Sequence, residues 1–304
     1  MNSFDETMET GKTGKWKLLK RKLTDNLLVM YFITLVLIIL GQFLGAFLEF
    51  IPYVTGSDAA ITATLYFEFI GIWIVAVLYM RFTRKNRPIL KVVGSKVTEN
   101  NWKTFLTGAA IGFGLNGICI LAAWLHKDIS LYYYSFRPIY LVIIFIAVFV
   151  QSSAEELLCR GFLYQRLMRR YKRPAVAIIG NALLFALLHL LNNGVTALSV
   201  LNIFVVAIMF SLMVYYMDSL WCAMAAHTAW NFTQNIIFGL PNSGMTVPYS
   251  VFKLDASTAQ NSFAYNVGFG IEGTLLADLV LILACICIWL WGRKNGKKPY
   301  DVWQ

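Results

Sequence analysis

The sequence predicts an all-α fold, a polytopic membrane helical bundle of about eight transmembrane helices. Three observations predict this class. The chain is 58% hydrophobic and only 14% charged, with a mean hydropathy of +0.62. Several apolar runs of about twenty residues are each long enough to cross a hydrocarbon core of roughly 30 Å as a helix. Lys and Arg cluster on alternate connections between these runs. A soluble protein of 304 residues is therefore excluded.

The apolar runs divide the chain into eight predicted spans. They cover residues 27–51, 59–80, 104–125, 139–168, 175–191, 196–217, 219–239 and 274–292. We therefore predict one membrane domain over residues 27–292, between basic tails at 1–26 and 293–304. The first tail is polar and has no early apolar core, so we expect a cytoplasmic tail rather than a cleaved signal peptide.

The positions of the basic residues predict the orientation in the membrane. Lys and Arg are concentrated in both tails and in the connections at 81–103 and 166–173, and they are sparse at 52–58, 126–138 and 240–273. Basic connections stay in the cytoplasm, so both termini are predicted to be cytoplasmic. The net charge of +10 thus reflects the orientation of the chain in the membrane. The predicted partner of this charge is the lipid bilayer with its anionic lipids, and not nucleic acid.

Ionisable side chains inside a span are costly and usually face the bundle interior or a cavity. Four places in the predicted spans carry such groups. They are Glu68, the group Glu155, Glu156 and Arg160, His189, and His227.

The group in the fourth span reads Glu-Glu-x-x-x-Arg. Glu156 and Arg160 are four residues apart and share a helix face, so we expect them to form an ion pair. Glu155 is five residues from Arg160 and points to the side, which leaves it available as a base. The alternative interpretation is a charged end of a membrane helix that is paired at the cytoplasmic rim.

Two of the three histidines also lie four residues from another residue of interest. Phe185 and His189 share one helix face, and so do His227 and Asn231. His227 and Asn231 are therefore predicted to project into the same space. For either histidine taken alone, the alternative is a hydrogen-bonded core residue.

The depth of these residues in the bundle can be compared. Glu155 lies 17 residues before Lys172, in the turn between the fourth and fifth spans, and His189 lies 17 residues after it. In an antiparallel helix pair both lie about 25 Å from this turn. His227 and Asn231 lie about 12 to 20 Å from the next turn on the same side. The four side chains are thus predicted to converge around one cavity. Glu68 either borders this cavity or is a structural carboxylate that pairs elsewhere.

A carboxylate, two imidazoles and a carboxamide in a dry pocket favour hydrolysis of a peptide bond inside the membrane. Burial makes Glu155 a stronger base towards water, which His189 can also hold. His227 and Asn231 can donate hydrogen bonds to the oxyanion on the scissile carbonyl. The sequence has no His-Glu-x-x-His zinc helix, no Gly-x-Ser-Gly nucleophile and no pair of membrane aspartates.

Three motifs follow in order on successive helices. The first is Glu155-Glu156-x-x-x-Arg160, the second is Phe185-x-x-x-His189 and the third is His227-x-x-x-Asn231. Together they resemble the motifs of the CPBP family. This is the family of CAAX-protease and bacteriocin-processing intramembrane peptidases, also called the Abi or type II CAAX prenyl protease group. The resemblance covers about residues 139–239. It implies that Glu155 activates water, that Glu156 and Arg160 form its structural partner pair, that His189 positions the water, and that His227 and Asn231 stabilise the oxyanion.

The resemblance also leaves the cofactor open between two possibilities. The family is described as metalloproteases, which implies one divalent metal such as zinc held by Glu155, His189 and His227. A glutamate-activated water without an obligatory metal has also been argued for the family, and Asn231 is a poor zinc ligand.

The implied substrate is a membrane-associated protein or a small peptide, with roles in CAAX-type cleavage, bacteriocin processing or self-immunity. The expected location is a bacterial plasma membrane, and the oligomeric state is not predicted. Two other functions remain as alternatives. One is a non-catalytic membrane scaffold or immunity protein that sequesters a partner, and the other is an ion- or proton-coupled transporter with Glu68, Glu155 and His189 on its path.

Overall fold

The fold was obtained as a computed structural model, and the structure describes residues 26–51, 56–295 and 299–303. The predicted N-terminal tail at 1–26 lies outside the described residues, apart from Asn26. The side chain of Asn26 accepts a hydrogen bond from the Val29 backbone and caps the first helix.

The described chain is almost entirely helical, as predicted. The α-helices are α1 Leu27–Gly45, α2 Asp58–Phe67, α3 Ile70–Phe82, α4 Trp102–Leu125, α5 Pro138–Glu156, α6 Tyr164–Tyr171, α7 Pro174–Leu188, α8 Ala197–Met217, α9 Leu220–Asn231 and α10 Leu275–Asn295. Short 3₁₀ segments are Ala46–Glu49, Arg87–Val92 and Ile271–Gly273, and π-helical segments are Leu157–Leu163 and Phe232–Ile237.

Six continuous helical segments among the described residues are long and apolar enough to cross a membrane. They are Leu27–Glu49, Asp58–Phe82, Trp102–Leu125, Pro138–Tyr171, Ala197–Met217 and Leu275–Asn295. The shorter apolar helix α7 and the segment of α9 with its π-helical extension complete the bundle. The chain is therefore a multi-pass integral membrane protein.

The ends of several predicted spans differ in the structure, and the fourth and fifth spans matter most because they carry motifs. The fifth was predicted to reach residue 191, but α7 ends at Leu188, because His189 leaves the helical conformation with φ −99° and ψ 1°. The fourth is longer than predicted, since α5, the π-helical segment and α6 form one run of 34 residues. This run carries the Glu-Glu-x-x-x-Arg motif in its middle, away from both ends.

A small antiparallel sheet was not predicted. Strands β1 Leu131–Tyr133 and β2 Phe252–Leu254 pair, with Tyr132 opposite Lys253. The pair joins the two connections at 126–138 and 240–273, which were predicted to lie on the same side of the membrane. It fixes the middle of the long 240–273 connection.

Two other parts of this connection, around Ser243 and Gly268, pack onto the turn that follows α7. Asn192 donates a hydrogen bond to the Ser243 carbonyl at 3.0 Å. A Cβ built on Gly194 would overlap the backbone of Gly268, so only glycine fits there at its φ of +70°. The connection thereby comes close to His189.

Close backbone contact also fixes α9 in the bundle. Gly108 and Gly112 of α4 lie one turn apart, and a Cβ on either would overlap a backbone carbonyl of α9, at Cys222 and Ala226 respectively. Small residues allow membrane helices to approach this closely. Because Ala226 precedes His227, this contact determines where the third motif stands.

Candidate active site

A cavity of about 430 Å³ lies between the helices, and the predicted site residues meet there. Glu155, His189, His227 and Asn231 all line it. Glu68 lines it too, so this carboxylate borders the cavity. The three motifs therefore converge on one space, although they are separated by up to 76 residues in the sequence.

Behind this cavity, Glu156 and Arg160 form a fully buried ion pair. The distance from Arg160 Nη1 to Glu156 Oε1 is 2.9 Å, and neither side chain is exposed. Arg160 also donates to the Ala207 carbonyl at 2.9 Å, and its guanidinium lies 4.8 Å from the Phe185 ring centroid and 5.5 Å from that of Phe210. The buried charge is thus compensated by an anion, a carbonyl and two aromatic faces.

Glu155 faces the other way, into the cavity. Its side chain is 20% exposed, and its Oε2 lies 3.8 Å from His227 Nε2. Its Oε1 accepts a hydrogen bond from Gln151 Nε2 at 2.7 Å. The two adjacent glutamates are therefore in different environments, with one inside the packed core and one in contact with the cavity.

His227 lies between the two glutamates. Its Nδ1 is 3.1 Å from Glu156 Oε1, and the ring stacks on Phe210 with a centroid distance of 5.1 Å. A carboxylate next to Nδ1 favours the tautomer with the proton on Nδ1. In the neutral ring, Nε2 is then the basic nitrogen, and it points towards Glu155.

His189 is oriented by its own helix. Its Nδ1 is 2.8 Å from the Phe185 carbonyl oxygen, and the two rings are in contact with a centroid distance of 4.7 Å. A carbonyl only accepts, so Nδ1 carries the proton and Nε2 is left free to bind water or substrate. Phe185 thus serves both motifs, since its carbonyl orients His189 and its ring covers Arg160.

The carboxamide of Asn231 is already engaged. Its Nδ2 donates to Gln151 Oε1 at 3.1 Å and to Ser152 Oγ at 3.2 Å, and its Oδ1 accepts from Asn242 Nδ2 at 3.2 Å. An oxyanion bound by Asn231 must therefore replace one of these two acceptors. This competition was not predicted from the sequence.

Three further residues belong to this network and were missed from the sequence. Gln151 precedes Glu155 by four residues on the same helix, so its spacing was a signal that could have identified it. Asn242 and Glu272 come from the long connection after α9 and had no such signal. Burial raises the pKa of Glu272, and hydrogen bonds from Ser243, Trp230 and Gln234 partly offset this.

The implied metal set of Glu155, His189 and His227 can be compared with this geometry. Within residues 26–51, 56–295 and 299–303, no group of three or more His, Cys, Asp and Glu side chains is arranged to hold a metal ion. His227 Nδ1 is turned to Glu156, and His189 Nδ1 is turned to the backbone. These two contacts leave Nε2 as the ring nitrogen of each histidine that could bind a metal, and a metal requirement stays a prediction.

Comparisons with known proteins agree with the motif analysis. No curated protein matches the chain in a sequence search. A family model matches residues 137–233, and its description is "Type II CAAX prenyl endopeptidase Rce1-like". This segment contains all six candidate site residues, and the predicted family resemblance is therefore confirmed over it: residues 137–233 carry the sequence pattern of the Rce1-like CAAX-type membrane endopeptidases.

Proposed function

We propose that the protein is an intramembrane endopeptidase in which Glu155 activates water for attack on a peptide carbonyl. The observation that carries this proposal is the arrangement of His227 between the two glutamates. Nδ1 is held by buried Glu156 at 3.1 Å, and Nε2 is directed to Glu155 at 3.8 Å in the cavity. A structural histidine would not require a second carboxylate open to a cavity.

The proposed reaction begins with a water between Glu155 and Nε2 of His189. Glu155 takes one proton of the water as its oxygen attacks the carbonyl carbon. The negative charge on the carbonyl oxygen is stabilised by the Asn231 amide, which exchanges Gln151 or Ser152 for this oxygen, and by His227 once its ring carries a proton on Nε2 as well as on Nδ1. The C–N bond then breaks, Glu155 returns the proton to the leaving nitrogen, and the products are an amine and a carboxylic acid that keeps the second proton of the water.

The buried pair behind the site has a positioning role in this mechanism. Glu156 holds His227 in one tautomer, and Arg160 pairs with Glu156 at 2.9 Å and keeps it in place. Neither residue needs to touch the substrate. This division explains why two adjacent glutamates are required, since one must be fixed and the other must exchange protons with water.

The proposed substrate is a membrane-associated protein or a small peptide. CAAX-type cleavage is one candidate reaction, and bacteriocin processing and self-immunity are candidate roles. Several further lining residues are apolar, among them Ile38, Leu65, Phe69 and Leu188, which suits an apolar segment of a peptide. We further propose a bacterial plasma membrane with both termini in the cytoplasm, on the strength of the basic connections.

The test is cleavage by purified protein in lipid nanodiscs. The probes are a farnesylated peptide ending in a CAAX sequence, the same peptide without the prenyl group, and single-span membrane peptides, with products identified by mass spectrometry. We expect cleavage by the wild type and at least 1000-fold slower cleavage by Glu155→Gln, because the base is lost. Glu99→Gln, an exposed glutamate in the connection before α4, is the matched control and should retain the wild-type rate.

Further measurements test the metal, the base and the non-catalytic alternative. A chelator added to the wild type separates a metal-bound from a metal-free nucleophile. Cleavage by Glu155→Gln at the wild-type rate would refute the proposed base. A phenotype in cells that survives in Glu155→Gln, His189→Ala and His227→Ala would favour the non-catalytic scaffold.

A further inference from the structure

Glu272 is a buried carboxylate that lines the cavity from outside the family-matched segment. It lies in the 3₁₀ segment before α10 and is only 6% exposed. Trp230 Nε1 and Asn242 Nδ2 donate to its Oε1 at 3.0 and 3.1 Å. The Ser243 backbone N–H and Gln234 Nε2 donate to Oε2. All these partners donate, so both oxygens of the Glu272 side chain serve as acceptors.

A chain of three amides joins this carboxylate to Glu155. Asn242 Nδ2 donates to Glu272 and to Asn231 Oδ1, at 3.1 and 3.2 Å. Asn231 Nδ2 donates to Gln151 Oε1 at 3.1 Å. Gln151 Nε2 donates to Glu155 Oε1 at 2.7 Å. A carboxylate therefore stands at each end of the chain.

The two carboxylates determine which way each amide faces. A carboxylate only accepts, so Asn242 must turn its nitrogen to Glu272. The same nitrogen reaches Asn231, which must therefore present its oxygen to Asn242 and its nitrogen to Gln151. From the other end, Glu155 imposes the same order, because Gln151 must turn its nitrogen to Glu155 and its oxygen to Asn231.

We propose that Glu272 is a positioning residue for the hydrolytic site. Glu272 acts through Asn242, which holds the oxygen of the Asn231 amide and so keeps the amide nitrogen directed towards Gln151. In the opposite orientation, Asn231 would present an oxygen to the developing oxyanion and repel it. This inference rests on the proposed function, since an oxyanion forms only if the protein hydrolyses its substrate. It assigns the 240–273 connection a positioning role in the chemistry.

The central experiment is a double-mutant cycle between Asn242 and Asn231. The readouts are kcat and KM on a quenched peptide that the wild type cleaves. Asn242→Ala should lower kcat on the order of tenfold and leave KM within about twofold, because ground-state binding does not use this orientation. In the Asn231→Ala background, the same substitution should change kcat by less than about twofold. An equal loss of kcat in both backgrounds would overturn the proposal.

Two additional variants control for the folding of the connection. Asn261→Ala removes an exposed asparagine of the same connection, which accepts the Val267 N–H at 2.8 Å, and it should leave kcat unchanged. Asn242→Ser keeps one donor, which can serve Glu272 or Asn231 but not both, and it should lower kcat less than Asn242→Ala. If Asn261→Ala lowers kcat as much as Asn242→Ala, the effect is general to the connection and the proposal is wrong.

A measurement without substrate separates this inference from the proposed function. The unfolding midpoints of Glu272→Gln, Asn242→Ala and the double variant are compared in detergent. The shared hydrogen bond predicts that the double variant loses less stability than the sum of the single variants. Additive losses would overturn the network even if the protein is active. Coupled losses in a protein that cleaves no peptide would instead support the network and refute the proposed function.

Discussion

Glu156 and His227 are joined across the bundle by a 3.1 Å contact between Oε1 and Nδ1. The contact links the first motif to the third, 71 residues later, and both partners are buried. It also determines which ring nitrogen of His227 faces the cavity. The second carboxylate of the motif therefore acts on the site from behind, without contact with the cavity.

Removing this carboxylate should affect folding as well as activity. Glu156→Ala leaves Arg160 as a buried charge without its anion, which costs about 3–5 kcal/mol of unfolding free energy. Glu155→Gln changes a partly exposed group that keeps an acceptor for Gln151, so its stability should stay within about 1 kcal/mol of the wild type. Thermal unfolding in detergent distinguishes the two. Equal destabilisation by both substitutions would contradict the division of roles between the glutamates.

Arg160 should not be replaceable by lysine. Arg160→Lys keeps the charge next to Glu156 but loses the planar group between Phe185 and Phe210 and the second donor, which binds the Ala207 carbonyl. We expect a loss of about 2 kcal/mol or more in unfolding free energy. Arg173→Lys, an exposed arginine in the turn before α7, is the matched control. Wild-type stability of Arg160→Lys would show that charge alone holds the site.

Local helical geometry made the core of the site predictable from the sequence. The pairing of Glu156 with Arg160 and the shared face of Phe185 and His189 follow from a spacing of four residues. Convergence in depth followed from counting residues to a common turn, because the continuous run from α5 to α6 and the helix α7 lie on either side of it. These relationships depend on helix periodicity and on chain connectivity, which a sequence pattern contains.

The remaining features depend on tertiary contacts that have no local pattern. Asn242 and Glu272 reach the cavity only because the 240–273 connection packs onto the turn after α7. The hydrogen bond between the Asn231 amide and Gln151 forms only if α5 and α9 are rotated so that these two side chains face each other. The early end of α7 follows from a single non-helical residue, His189. The first two of these features are set by packing between segments that are distant in sequence.

The contact between α4 and α9 provides a test that substitutes none of the site residues. Gly112→Ala introduces a Cβ that would overlap the Ala226 carbonyl and must push α9, with His227, away from α4. Gly114→Ala, two residues further along α4, places its Cβ in open space. We expect Gly112→Ala to reduce peptide cleavage at least tenfold, since a displacement of about 1 Å can cost a hundredfold in rate. Gly114→Ala should keep the wild-type rate and gain up to about 1 kcal/mol from helix propensity. Cleavage rates and unfolding midpoints measured on both variants in nanodiscs make the comparison, and similar rates for the two would mean that α4 does not position the third motif.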